Sequence, residues 1–305
     1  MLNWYKTTFT LKAWTATTWH SDTIFGHLCW GMLYAEGEQR LRDFLRLYLD
    51  GQPPLLVSNG FPHDYLPAPL FPPDTVDTSL PLKNQIEQYR EIKKTKGVKY
   101  VPLTVFNDML QGKKAVSTAE YQEMVRVSLK NQINRGTGTS GEEGNLYNFV
   151  EYWQRAIDIY FKTDKSFLGT AERLFRYIAA SGFGKRKSVG YGQVESFNIE
   201  PFSGFPLPQQ ANGFVSLSNF VPASSDPCNG FWQILVKYGK LGEVLAVQGN
   251  PFKKPLVMLQ AGSTFYDAPC KEYYGGMISS LSAYFPPAVQ YAYALPVPII
   301  IPKTL

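Results

Sequence analysis

The chain has 305 residues, a formal net charge of +5, 44% hydrophobic residues and 15% aromatic residues. That length allows two domains, and that composition excludes an intrinsically disordered chain. Residues 1–20 lack the apolar core of a signal peptide, no run is apolar enough for a membrane span, and Cys29, Cys228 and Cys270 form no disulfide pattern, so a cytoplasmic protein with reduced thiols is expected.

Residues 5–17 read as a first strand, with aromatic and β-branched residues alternating with threonines. The segment His20-Ser21-Asp22-Thr23 offers a helix N-cap before Ile24, Phe25, Leu28, Cys29 and Leu33, which carry the 3.6-residue period of a buried helix face. A second helix is expected over 38–49, stopped by Asp50-Gly51, and a strand over 55–59. The proline-rich stretch 61–81 cannot be regular helix. Residues 83–96 read as helical or mobile, 125–139 as strand and turn, and 146–160 as an aromatic, mixed segment. Leu174, Phe175 and Ile178 then sit at helical spacing within 170–180.

Pro201, Gly204, Pro206 and Pro208 mark a linker over 201–212. Beyond it short strands dominate, at 215–217, 233–237, 256–260 and 291–296, and the Ile299–Ile301 patch between prolines suits an edge strand. The pattern is β-rich α+β in two units, residues 1–200 with an insertion at about 71–145, and residues 213–305.

Charge is unevenly spread. Between Lys83 and Arg135 eleven cations face five acids, a net +6, so the remainder of the chain is close to neutral. One basic segment on a neutral body suits a polyanionic partner better than a small acidic metabolite; a lysine-rich solvated insertion is the plainer reading.

Residues 181–195 carry the densest signal. Gly182, Gly184, Gly190 and Gly192 bracket Lys185, Arg186 and Lys187 in a helix–loop–strand context. Glycine lets a backbone approach a polyanion and offer its N–H groups, the cations supply charge, and Tyr191 offers a flat stacking surface. A dinucleotide fingerprint is excluded because Lys187 stands where its third glycine belongs, and a P-loop because five residues separate Gly184 from Gly190. A β-turn carrying a solvated charge run is the alternative.

Several separated segments resemble one family. They are Ser21-Asp-Thr-Ile-Phe-Gly-His-Leu-Cys29, Asn131-Gln-Ile-Asn-Arg-Gly-Thr-Gly138 with Gly144-Asn-Leu-Tyr147, the glycine loop 182–192, and a C-terminal set with Leu217-Ser218, Pro222 and Gly262-Ser-Thr-Phe265. Together they resemble the RAMP-type (Cas5-like) subunit that holds the crRNA 5′ handle in type III-A CRISPR effector (Csm) complexes. The type III-B handle-binding subunit shares that architecture. The resemblance implies two ferredoxin-like (RRM-like) folds, with the glycine-rich loop and a basic insertion or thumb in the first. It implies an antiviral ribonucleoprotein scaffold that grips the handle and caps the complex. The large polymerase-like subunit and a backbone RAMP subunit would be its partners, and target RNA would be met indirectly through the guide duplex. Carried onto this sequence, the RNA contacts would be Gly182, Phe183, Gly184, Lys185, Arg186, Lys187 and Ser188, with His20 and Ser21 nearby and Lys130, Asn131, Asn134 and Arg135 on the thumb. Tyr191 would either stack on a base or pack inward.

No catalytic residue, metal or cofactor is expected. The three histidines, His20, His27 and His63, are unclustered; His27 reads equally as a packed core residue, and His63 as an exposed loop residue. Two other readings stay open: a metal-independent crRNA-processing endoribonuclease using His20 and the loop cations, and a subunit that contacts only proteins.

Overall fold

The first expected strand is shorter than the alternation suggested. In the computed structural model, which describes residues 2–113, 121–134, 136–140, 145–246 and 250–302, β1 (Asn3–Leu11) buries Tyr5, Thr7, Phe9 and Leu11 on one face. It is followed by α1 (Ser21–Glu36), α2 (Glu38–Leu49), β2 (Leu55–Pro62) and β3 (Tyr65–Pro67). The insertion contributes α3 (Leu82–Lys96), β4 (Tyr100–Pro102), α4 (Leu103–Leu110) and β5 (Met124–Gln132). Then come β6 (Asn145–Trp153), β7 (Ala156–Thr163), α5 (Leu168–Ser181) and β8 (Val194–Pro201).

The second half is built from β9 (Gly213–Ser216), β10 (Gly230–Phe231), β11 (Ile234–Lys237), β12 (Leu256–Leu259), β13 (Thr264–Tyr266), β14 (Tyr274–Ile278), β15 (Gln290–Ala294) and β16 (Pro296–Ile299). Among its described residues there is no α-helix, only a 3-10 turn at Glu243–Ala246.

The principal sheet is antiparallel, in the order β2-β7-β1-β8. The connections β1–α1–β2 and β7–α5–β8 give the β-α-β-β-α-β sequence of a split βαβ unit. The helices cover one face because alternate strand residues point there: Phe9 and Phe161 meet Phe175 of α5 at centroid distances of 6.2 and 5.0 Å. The expected linker seals part of the other face. Phe202 and Phe205 pack on Tyr160 at 5.1 and 5.5 Å, and Phe205 also meets Phe106 of α4.

A second sheet has the order β10-β13-β9-β16, with β16 at its edge; of the patch 299–301 expected as an edge strand only Ile299 belongs to it, and Pro298 lies within it. The apolar residues of this half divide between a shared core and a small cluster of their own. Val215, Leu217, Tyr291, Leu295 and Val297 belong to the same buried cluster as Phe9, Phe25 and Tyr48. Phe25 stacks on Tyr291 at 4.8 Å, and the Val57 N–H donates to the Tyr291 hydroxyl at 3.0 Å. A smaller cluster around Phe214, Phe220 and Phe265 completes the second half.

The α1 start departs from the capping expectation. His20 occupies the N-cap position without a side-chain cap bond. The Ser21 N–H instead donates to the Asn59 side chain at 2.8 Å, so a strand residue performs the task usually given to a local hydroxyl. No described helix is long and apolar enough to cross a membrane.

Candidate nucleic-acid interface

The loop between α5 and β8 folds back on itself. Gly182 ends the helix at φ +80°, with its N–H on the Ile178 carbonyl. The Phe183 N–H donates to the Gly192 carbonyl at 2.9 Å, which closes the loop at its base. Phe183 is fully buried and stacks on Trp19 with centroids 3.7 Å apart. It is thus an anchor rather than an exposed RNA platform, a correction to its reading as a contact residue.

The glycines shape the loop more than they expose it. A Cβ on Gly184, at φ +82°, would lie 2.7 Å from the Thr17 Cβ, and one on Gly192 would lie 2.0 Å from the Phe183 carbonyl oxygen. The Gly184 N–H donates to His27 Nε2 at 3.0 Å and the Lys185 N–H to Thr17 Oγ1 at 3.0 Å. The expected offer of glycine N–H groups to a polyanion therefore fails at Gly182, Gly184 and Gly192, whose donors are already engaged.

The three cations divide. Arg186, in the left-handed region at φ +63°, donates to the Tyr147 hydroxyl at 2.8 Å and lies 4.6 Å over the Phe149 ring. Lys185 lies 5.2 Å over the same ring. Lys187 turns the other way, pairing with Glu243 of the second half at 2.5 Å and lying 5.5 Å over Tyr177. Ser188 is exposed on the 3-10 turn Lys187–Val189.

Tyr147 and Phe149 come from the β5–β6 hairpin, paired from Met124↔Trp153 to Gln132↔Asn145. Lys130, opposite Tyr147, lies 3.9 Å over Phe149 and 5.7 Å over Tyr191. Phe149 is 3% exposed, and Tyr191 meets it edge-on at 5.5 Å, half-buried as in the inward-packing alternative. Three cations from two distant segments thus gather on one ring. Burial and the neighbouring Arg186 charge lower the Lys185 ammonium below its ordinary value. Bringing like charges together is unfavourable until an anion sits among them.

The remaining predicted residues scatter. Asn131 faces the opposite side of the hairpin from Lys130, as strand alternation requires. That side is apolar and exposed: Val125, Val127, Leu129 and Leu146 are 47%, 60%, 65% and 62% exposed. Asn134 shapes the hairpin end, its side chain accepting the Gly136 N–H at 2.8 Å. Arg135 lies outside the described residues. Ser21 is fully buried, bonded to Asn59 and close to the Asn219 carbonyl, so its reading as an RNA contact is corrected.

His20 is half-buried, and burial followed by the Lys237 charge lowers it to about 4. Lys237 holds Asp22 at 2.9 Å and Thr23 Oγ1 at 3.0 Å, which ties the start of α1 to β11. His27 is lowered to about 3 by burial and then by Lys187, so its ring is neutral and Nε2 accepts from Gly184. His63 is exposed between β2 and β3, as read, and its Nδ1 also lies 3.0 Å from the fully buried Asp158 carboxylate. His63, Asp64 and Asp158 bring ligand-type atoms within 4.8 Å of one another, an arrangement the His63–Asp158 hydrogen bond accounts for. Sequence reasoning missed Thr17, Trp19, Tyr147 and Phe149, because their roles depend on contacts far away in the chain.

No protein-family model matches the sequence, and no curated protein matches it. Solved structures do. A chain in the crystal structure of a Csm1-Csm4 cassette in complex with cA4 aligns over 99% of this chain and 100% of its own, at TM-score 0.65 and 17% identity. A chain in the crystal structure of a Csm3-Csm4 subcomplex of the type III-A CRISPR-Cas interference complex aligns over 97% and 99%, at TM-score 0.59 and 13% identity. The AMPPNP complex of the Csm1-Csm4 cassette gives TM-score 0.63 at 17% identity. The fold, a mixed α/β arrangement of antiparallel sheets, is thus shared with chains of type III-A assemblies that have Csm4 in common.

Proposed function

We propose that this chain is a non-catalytic RNA-binding scaffold of a type III-A CRISPR effector complex, and that it grips the 5′ handle of the crRNA. The carrying observation is the convergence of Lys130, Lys185 and Arg186 on Phe149, at 3.9, 5.2 and 4.6 Å. The cations supply charge for the phosphates of single-stranded RNA, and the buried Phe149 ring beneath them holds the three together. The first unit, residues 1–200, acts as the ferredoxin-like part of a cytoplasmic complex; the second, residues 213–305, expected as another such fold, has no α-helix among its described residues and serves as a β-rich companion unit. The likeness to chains of the Csm1-Csm4 cassette and the Csm3-Csm4 subcomplex supports a polymerase-like subunit and a backbone subunit as partners.

The non-catalytic reading rests on the histidines. The one touching the loop, His27, has its Nε2 lone pair occupied by Gly184, and His63 is held by Asp158. His20 has Lys237 at 3.4 Å as its ring partner. General acid–base cleavage needs two positioned proton-transfer groups, and the three histidines supply no such pair at the loop.

The test is crosslinking of 5′-handle-labelled crRNA in complexes assembled with the partner subunits, resolved on a denaturing gel. Crosslinks at residues 185–186 and 130 with intact RNA are expected. Cleavage abolished by His20→Ala would make the chain a processing nuclease, and absence of any crosslink would leave a subunit that contacts only proteins.

A further inference from the structure

The consecutive cations of the glycine loop differ in how their charge is compensated. Among the described residues, neither Lys185 nor Arg186 has a carboxylate partner, whereas Lys187 pairs with Glu243 at 2.5 Å. That acid comes from the second half of the chain. The two side chains are 20% and 24% exposed, and a partly buried pair is screened less than an exposed one.

Glu243 is held for this contact. It stands at φ +50°, in the left-handed region that costs a non-glycine residue free energy unless its surroundings impose it. It opens the 3-10 turn Glu243–Ala246, where the Leu245 N–H donates to the Gly242 carbonyl at 3.1 Å. Gly242 is seated against α1, since a Cβ there would lie 3.0 Å from Trp30 Nε1. The first half thus supports the turn that presents the carboxylate.

On the loop side, the Lys187 backbone is pinned. Its carbonyl accepts from Gln193 Nε2 at 3.1 Å and from the Gly190 N–H at 3.2 Å. The side chain can therefore redirect without remodelling the loop. Its ammonium, now over Tyr177 at 5.5 Å, is a point charge on a flexible stem that can serve a different anion.

Resting on the RNA-gripping reading above, we propose that Glu243 occupies Lys187 in place of an RNA phosphate. The loop then grips with Lys185 and Arg186 and keeps a third cation in reserve. Glu243 is a positioning residue of the grip, and it sets how many phosphates the loop engages. Removing its charge while keeping its size frees the Lys187 ammonium beside two cations that already favour an anion.

The test measures affinity for 5′-handle RNA against salt in complexes assembled with the partner subunits. Wild type, Lys187→Ala, Glu243→Gln and the double variant are compared. Glu243→Gln should steepen the slope of log affinity against log salt by about 0.7, one single-strand phosphate contact. Raising salt about fourfold then costs about 2.6 times more affinity than in wild type. Lys187→Ala should keep the wild-type slope, and the double variant should return to it.

A Glu243→Gln slope equal to that of wild type overturns the proposal and leaves the RNA grip standing. A steeper slope that survives in the double variant traces to the overall field of the chain and also overturns it. A shallower slope in Lys187→Ala means that Lys187 already grips RNA, which overturns it as well. Salt-independent binding by wild type overturns the grip itself and this proposal with it.

Discussion

Lys185 and Lys187 are two positions apart and serve different ends. Lys185 and Arg186 lean over Phe149 toward solvent, whereas Lys187 is tied to Glu243 across the two halves. Lys185→Ala/Arg186→Ala is therefore expected to weaken RNA binding and reduce its salt dependence. Lys187→Ala should act mainly on stability, by about 1 kcal/mol for a partly exposed pair, read by chemical denaturation. Gly184→Ala places a Cβ against Thr17 at φ +82° and should cost about 1–3 kcal/mol with the charges intact. Normal stability in that variant would contradict the packed-loop description.

The two half-buried histidines His20 and His27 fix a pH dependence at the same scale. Their folded values, about 4 for His20 and about 3 for His27, lie below the ordinary 6.5. The unfolded chain then binds more protons than the folded one, so this contribution is complete above pH 6.5. It falls as pH drops from there toward 4 for His20 and 3 for His27. The slope is about 1.4 kcal/mol per pH unit for each histidine in its window. Unfolding free energies measured from pH 7 to pH 4 should show that decline, with a shallower one in His27→Gln; parallel curves would contradict it.

Among the elements, the β5–β6 hairpin decides how the glycine loop is read. Its inward residues Lys130, Tyr147 and Phe149 meet the loop, and its outward residues Val125, Val127 and Leu129 meet solvent. Phe149→Ala should lower both stability and RNA affinity, because it removes the floor under three cations. Leu129→Asp, at a 65% exposed position, should change stability by no more than about 0.5 kcal/mol and so isolate any packing role of the outward face.

The loop was legible in the sequence because glycine and lysine announce themselves by type. The floor beneath it was not, since nothing local marks Phe149 as the partner of Lys185, 36 positions away. The cap at the start of α1 was misread for a related reason: capping logic is local, and here Asn59 on β2 does the capping and helps bury Ser21 away from any RNA. The helices α1, α2 and α5 followed their apolar period. The eight-residue α4 escaped because it is short and follows a proline.

At the scale of the whole molecule, one core joins both halves. Tyr291 and Tyr293 from β15 pack with Phe25 and Tyr48 of α1 and α2, and the Tyr293 hydroxyl donates to the Tyr48 carbonyl. Calorimetry should therefore record one cooperative unfolding transition, and two resolved transitions would contradict a shared core. Sequence patterning found the short strands of the second half without showing that their apolar faces complete the first. A strand's buried face says nothing about which half of the chain covers it.

The central claim, that Lys130, Lys185 and Arg186 grip RNA phosphates, is tested most directly by the salt dependence of handle-RNA affinity in assembled complexes. With all three changed to Ala, the slope of log affinity against log salt should fall by about two, since each single-strand phosphate contact contributes about 0.7. A slope unchanged from wild type would contradict the account.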